Sequence, residues 1–368
     1  MMNRRRFGLM TAALATGACE QPATARPRRR PLIIAHRGAS GDRPEHTPMA
    51  YRLAVAQGAD FIEPDLVLSR DGHFICRHEN EISETTDVAA HPEFASRRTT
   101  KVIDGETLTG WFTEDFTLAE LKTLRCRERL PQIRPANTAY DGQDAIPTFE
   151  EVIALARAES RRTGRTIGIY PEMKHPRHFA SLGLSMEPRL AGRLKAHGLA
   201  GAGAPVFVQC FEVGPLKAIR QLVDAPLVQL ISDEGGPADL PSVRYSDMLG
   251  ASGLKAISAY AQGIGPEKGL VVPNDGKALL PPTGLVPMAH DAGLKVHPWT
   301  VRKENYFLPT GLTSVLEAEQ GSDGSEWQLM PGAVNQMFQA LLEAGVDGLF
   351  TDDPGLGVKA RDRWMAEA

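Results

Sequence analysis

The chain has 368 residues, 42% of them hydrophobic and 23% charged, with a formal net charge of -4. This composition is globular, and the length suits one large α/β barrel or two modest domains. The mild acidity excludes a basic field that would hold a nucleic-acid backbone by counterion release.

The first residues read as an export signal. Asn3-Arg4-Arg5-Arg6-Phe7 is a charged stretch of twin-arginine type, and residues 8–18 are apolar yet too few to span a bilayer, so residues 1–25 are expected to direct the chain to the periplasm or beyond. Two processing routes fit. Ala23-Thr24-Ala25 has the small residues of a peptidase site, whereas Gly17-Ala18-Cys19 loosely resembles a lipoprotein box whose Cys19 would carry lipid. Thr16, where such a box usually has Leu, favours the soluble product. Cys76, Cys126 and Cys210 are irregularly spaced, which points to buried free thiols rather than a zinc site or a disulfide framework.

Residues 26–368 alternate strand and helix signals. Residues 31–35 form a short apolar run ending at His36, as a buried parallel strand delivers a polar side chain at its tip. Thr47 can cap a helix with Pro48 at its first position and Gly58 past its end. A strand is predicted over 61–68. Thr148 opens a helix with a capping box through Glu151, and 167–170 is a strand tipped by Glu172. Further strands are expected at 206–211, 226–231, 256–264, 294–301 and 347–351, separated by helices near 187–197, 212–222, 283–292 and 333–344. Eight strands in βα alternation predict a (β/α)8 TIM barrel, whose active site assembles at the C-terminal strand ends. Residues 80–145 are too long for a connection and are expected to be an inserted subdomain over the mouth, with a capped helix starting at Thr117. Residues 302–330 are expected to form a rim loop.

Glu63 and Asp65 are two apart on a strand, so their carboxylates share a face, and Glu172 on the next strand can meet them. Three converging carboxylates in a core strand environment require a cation, and oxygen-only ligands select Ca2+ or Mg2+ over zinc. His36 and His78 stand at the ends of different strand candidates and supply the acid/base pair that phosphodiester hydrolysis needs. Arg37 offers a planar fork for phosphate oxygens, and Lys174 could add a point charge or be a surface lysine. Asp352 and Asp353, before Pro354, read as turn formers.

Seven segments in register carry a resemblance: His-Arg-Gly-Ala-Ser-Gly at 36–41, Pro-Glu-His-Thr at 44–47, Gly-Ala-Asp-Phe-Ile-Glu-Pro-Asp-Leu at 58–66, Ile-Gly-Ile-Tyr-Pro-Glu-Met-Lys at 167–174, Val-Gln-Cys-Phe at 208–211, His-Pro-Trp-Thr-Val-Arg at 297–302 and Gly-Leu-Phe-Thr-Asp at 348–352. The chain resembles the glycerophosphodiester phosphodiesterases, specifically the exported bacterial type. The resemblance implies a TIM barrel, a divalent cation on Glu63, Asp65 and Glu172 with Ca2+ favoured over Mg2+, acid/base histidines His36 and His78, and phosphate contact from Arg37. It also implies support of the metal or substrate by Glu45, substrate contact by Lys174, and a pocket wall of Phe211 and Trp299. Glu79 stands where the family usually has Asp, and Trp299 where Tyr is common. The expected partner is a small glycerophosphodiester, such as glycerophosphocholine, cleaved to sn-glycerol 3-phosphate and an alcohol. Phospholipase D-like cleavage of a lysophospholipid, or a barrel that binds ligand without turnover, are the alternative readings.

Overall fold

The computed structural model describes residues 29–313 and 333–367; the expected export signal with Cys19, and residues 314–330 of the expected rim loop, lie outside the described residues. The strands in chain order are β1 (Leu32–His36), β2 (Phe61–Glu63), β3 (Asp65–Leu68), β4 (Phe74–Cys76), β5 (Thr99–Ile103), β6 (Glu106–Gly110), β7 (Gly168–Ile169), β8 (Glu172–Met173), β9 (Val208–Cys210), β10 (Leu227–Ile231), β11 (Gly263–Pro266), β12 (Lys295–Val296) and β13 (Gly348–Thr351).

Prolines break two barrel strands into pairs. Pro64 separates β2 from β3, and Pro171 lies between β7 and β8; each lacks an N–H but still accepts, from Glu172 N and Gln209 N respectively. Counted as continuous staves, the eight parallel strands run β1, β2/β3, β7/β8, β9, β10, β11, β12 and β13. The stave begun by β12 continues to Val301, which bridges Thr351, and β13 pairs with β1 to close the ring. This is a (β/α)8 barrel.

Side-chain alternation explains why the floor is greasy and the mouth is charged. Ile34, Tyr170, Phe207, Val228 and Phe350 form a buried cluster within the staves, with Phe61 against it, while Ile33 and Ile62 pack outward with the helices. Two residues further along each stave, on the same face, stand His36, Glu63, Glu172, Gln209, Leu230 and Asp352. The aromatic layer therefore sets the depth of the polar layer.

The predicted helix starts are present. Thr47 accepts from Ala50 N at the head of the helix Pro48–Ala56, and Thr148 and Glu151 form a capping box on Phe149–Thr163. The capped turn after Thr117 is the short helix Leu118–Leu121. Helices Met186–Ala196, Val213–Arg220, Leu285–Asp291 and Val334–Glu343 occupy the expected intervals. The expected strand at 256–264 is corrected: Ala251–Ser258 is a helix with Leu254 and Ile257 buried, and the strand is only Gly263–Pro266. A short apolar run does not distinguish the last turn of a buried helix from a strand, and here it joined both. The final helix Pro354–Ala366 and the β5–β6 hairpin had not been expected.

Residues 80–145 carry that hairpin, the short capped helix and several 3-10 turns. Arg134 ties the segment to the barrel, reaching Ser40 O at 3.0 Å and Glu304 Oε1 at 2.6 Å. Cys76, Cys126 and Cys210 are buried free thiols, as expected. Among the described residues no helix is long and apolar enough to cross a membrane.

Candidate active site

Glu63 ends β2, Asp65 begins β3 and Glu172 begins β8, so the β3–β8 pairing of Asp65 with Glu172 brings all three acids to one point. One ligand oxygen from each lies within 4.8 Å of the others, and all three residues are buried. Burial and the neighbouring Asp65 push the Glu63 carboxyl well above its ordinary range, with Glu172 adding to the effect. Burial also lifts Glu172, to about 7, against the pull of Lys174. Asp65 goes the other way: burial opposes its charge, but Arg37 and the His46 hydrogen bond outweigh it. Two acids held away from ionisation beside a third, all through oxygen, form a donor set that fits one hard divalent cation.

Arg37 follows β1 in a left-handed conformation, φ 60°, and Gly38 continues the turn at φ 90°. A Cβ at Gly38 would stand 2.7 Å from the Ala50 carbonyl carbon, so the sharp exit needs glycine. The turn aims Arg37 N at Glu63 Oε2, 2.8 Å away, and sets the guanidinium 3.0 Å from Glu45 Oε2 and 3.2 Å from Asp65 Oδ2. Glu45 also accepts from Arg129 Nε at 2.9 Å. It stands outside the three-acid cluster and holds two arginines in place. Lys174 is buried, with Nζ 3.1 Å from Glu172 Oε1 and 3.2 Å from His78 Nε2, so it is no surface lysine.

The two expected histidines face one cavity of about 400 Å³, lined also by Arg37, Glu172, Lys174, Phe211 and Trp299. His36 Nδ1 lies 2.6 Å from Asp352 Oδ1, and His78 Nδ1 lies 2.7 Å from Glu79 Oε1. Burial, then Arg37, push His36 down to about 4; burial, Arg37 and Lys174 push His78 down to about 3. Both rings are therefore neutral near pH 7. With Nδ1–H given to a carboxylate, each has a lone pair on Nε2, and that of His78 accepts from Lys174 Nζ at 3.2 Å. Phe211 and Trp299 pack edge to face with centroids 5.6 Å apart, and the indole N–H donates to Gly265 O at 2.7 Å. The indole thus spends its one donor on the backbone and leaves its ring as wall.

Several participants carried no clear sequence signal. Asp352 does more than form the bend after β13: buried, it contacts His36 while Arg134 and Arg302 hold its other oxygen at 2.7 and 2.9 Å. Its place directly after the apolar strand, like His36 after 31–35, was the available signal. His46 lies fully buried between Asp65 Oδ2, 2.9 Å, and Tyr51 OH, 2.8 Å. Arg129, Arg134 and Arg302 arrive from loops, where spacing predicts nothing.

Residues 36–356 match the glycerophosphoryl diester phosphodiesterase family. The chain is 38% identical over 340 residues to a glycerophosphodiester phosphodiesterase of Arabidopsis thaliana, covering 89% of this chain and 84% of that one. It is 31% identical over 353 residues to a glycerophosphodiester phosphodiesterase of Haemophilus influenzae, covering 89% of each. Solved structures share the fold: a putative glycerophosphoryl diester phosphodiesterase from Silicibacter pomeroyi superposes with a TM-score of 0.63 at 20% identity, covering 92% of this chain and 95% of that one. An Oleispira antarctica phosphodiesterase in complex with the product sn-glycerol-3-phosphate superposes with a TM-score of 0.58 at 20% identity, covering 90% and 97%. With the family match running from the end of β1 to the start of the last helix, the chain belongs to the glycerophosphoryl diester phosphodiesterase family.

Proposed function

We infer that this chain hydrolyses glycerophosphodiesters to sn-glycerol 3-phosphate and an alcohol, with His36 and His78 as the proton-transfer pair. The observation that carries the reading is the shared cavity: two neutral imidazoles, a guanidinium and Glu172 of the three-acid cluster border the same space, with Glu63 and Asp65 clustered on Glu172. Family membership and the sn-glycerol-3-phosphate complex of the Oleispira antarctica relative support the same substrate class.

Arg37 and Lys174 bring positive charge to the non-bridging phosphate oxygens, where charge builds in the transition state. Glu63, Asp65 and Glu172 would hold a hard divalent cation, which would supply Lewis-acid polarisation of the phosphate; resemblance to the exported type favours Ca2+ over Mg2+. One imidazole takes the proton of the entering oxygen as that oxygen bonds phosphorus. The other gives a proton to the headgroup oxygen as its bond to phosphorus breaks. The anionic phosphate between the rings favours the protonated form that this second role requires. Phe211 and Trp299 form the apolar wall on which the substrate's carbon skeleton lies.

The same proposal places the protein outside the cytoplasm, supported by the Asn3–Phe7 twin-arginine pattern and the apolar residues after it. Side-by-side assay of glycerophosphocholine and lysophosphatidylcholine tests the substrate class. Turnover of the first well above the second is expected; the reverse order overturns the assignment. Fractionation of cells expressing the full chain tests export, with a cytosolic product as the contrary result.

A further inference from the structure

Outside the contacts just described, one chain of side chains leads from the inserted hairpin into the cavity. β5 and β6 are joined by the two-residue turn Asp104-Gly105, at φ 49° and 94°, the left-handed pair that a tight hairpin turn demands. Asp104 Oδ2 lies 2.6 Å from His175 Nδ1, His175 Nε2 lies 3.0 Å from Glu79 Oε2, and Glu79 Oε1 lies 2.7 Å from His78 Nδ1. Both nitrogens of His175 thus face carboxylate oxygens, which only accept. The ring satisfies both by carrying two protons, and so it is an imidazolium clamped between two anions. Its pKa, raised to about 9 by the bonds to Asp104 and Glu79 against burial, agrees. His175 also sits in the left-handed region at φ 50°, a conformation that a non-glycine residue keeps only when its surroundings hold it.

We propose that the hairpin tip is part of the catalytic apparatus: Asp104, His175 and Glu79 are positioning residues that fix the ring of His78, so that its Nε2 is held beside Lys174 at the cavity where the phosphate would bind. This rests on the assignment of His78 to proton transfer. Glu79 reaches His78 through one oxygen and is pinned through the other, so it cannot swing with the cavity's solvent. His175 needs a counter-charge on its far side to remain an imidazolium, and Asp104 supplies it. The insertion, which also supplies Arg129 and Arg134, thus contributes to the chemistry of the site.

The competing explanation is that Asp104 is present only because the turn favours Asp. Asp104→Asn separates the two, since Asn suits the left-handed turn at least as well yet offers no anionic oxygen to the imidazolium. Steady-state kinetics on glycerophosphocholine and melting temperatures are measured for Asp104→Asn, Glu79→Gln, their double variant, His78→Ala, and Asp104→Asn in the His78→Ala background. The relay predicts that Asp104→Asn lowers kcat about 10-fold with KM within about 2-fold, in a protein that remains fully folded at the assay temperature. It predicts that the double variant is no slower than Glu79→Gln, and that Asp104→Asn has no effect once His78 is gone. A wild-type kcat in Asp104→Asn overturns the relay alone, as do additive losses with Glu79→Gln or an equal loss in the His78→Ala background. Wild-type turnover by His78→Ala overturns both the relay and the assignment of His78.

Discussion

Asp352 and His36, 316 positions apart in the chain, meet at 2.6 Å between Oδ1 and Nδ1. The pairing of Ala35 with Thr351 in the β1–β13 ladder puts the two strand ends side by side, and the next residue of each strand turns inward. Arg134 and Arg302 keep Asp352 ionised, well below the usual carboxylate range despite burial, so it receives the His36 Nδ1–H and leaves Nε2 free for the substrate.

Asp352→Asn keeps the size of the side chain but can turn an amide N–H toward Nδ1, which favours the wrong tautomer of His36. We expect kcat to fall about 100-fold with little change in KM, measured by glycerol 3-phosphate release. A uniform rise in KM at constant kcat would instead place Asp352 in substrate binding.

The three-acid cluster predicts linkage between cation and stability. Added Ca2+ should raise the melting temperature of the chelated wild-type protein, by about 2.7 kcal/mol of stability at a hundred times the dissociation constant. Glu63→Gln removes the charge of a carboxyl whose ionisation burial and the neighbouring Asp65 already oppose in the ion-free protein. Its ion-free melting temperature should therefore stay close to wild type while the Ca2+-induced rise is lost. Differential scanning calorimetry with and without Ca2+ checks both halves.

Arg134 is buried and pairs with Glu304 and Asp352, joining the insertion to two segments of the barrel rim. Arg134→Ala takes the guanidinium from Glu304 in a desolvated setting and leaves Asp352 with Arg302 as its remaining arginine partner. The expected loss is about 3–5 kcal/mol in urea unfolding, together with reduced kcat through Asp352. Arg134→Lys should restore part of the stability and less of the rate, because it lacks the fork that spans the two acids.

The sequence carried the barrel and most of the site because both depend on local period. His36 after 31–35, Glu63 and Asp65 two apart, and Glu172 and Lys174 two apart each follow from strand alternation. Capping at Thr47 and Thr148 was equally local. What stayed hidden depends on contacts between distant segments: Asp352 became meaningful only when β13 closed the ring beside β1, and Arg134 and Asp104 reach the mouth from an insertion with no periodic signal. The 256–264 stretch was misread for a related reason, since burial on a helix flank and burial in a strand look alike in a short apolar run.

His175 gives a pH dependence of known sign. Its folded pKa is raised from 6.5 to about 9, so its contribution to stability is fully present below about 6.5 and is lost as pH rises through about 9. The melting-temperature gap between wild type and His175→Gln should be widest near pH 6 and should close above pH 9. A gap that widens with pH would mean that the ring is neutral in the folded protein.

Glycerol 3-phosphate release from glycerophosphocholine, followed before and after EDTA with Ca2+ and Mg2+ returned separately, tests most directly whether three acids, one cation and two imidazoles act on a single phosphorus. Chelation should abolish turnover, and Ca2+ should restore it more fully than Mg2+, in the wild type but in neither His36→Ala nor His78→Ala. Full turnover by the chelated enzyme, or by either histidine variant, would contradict the account.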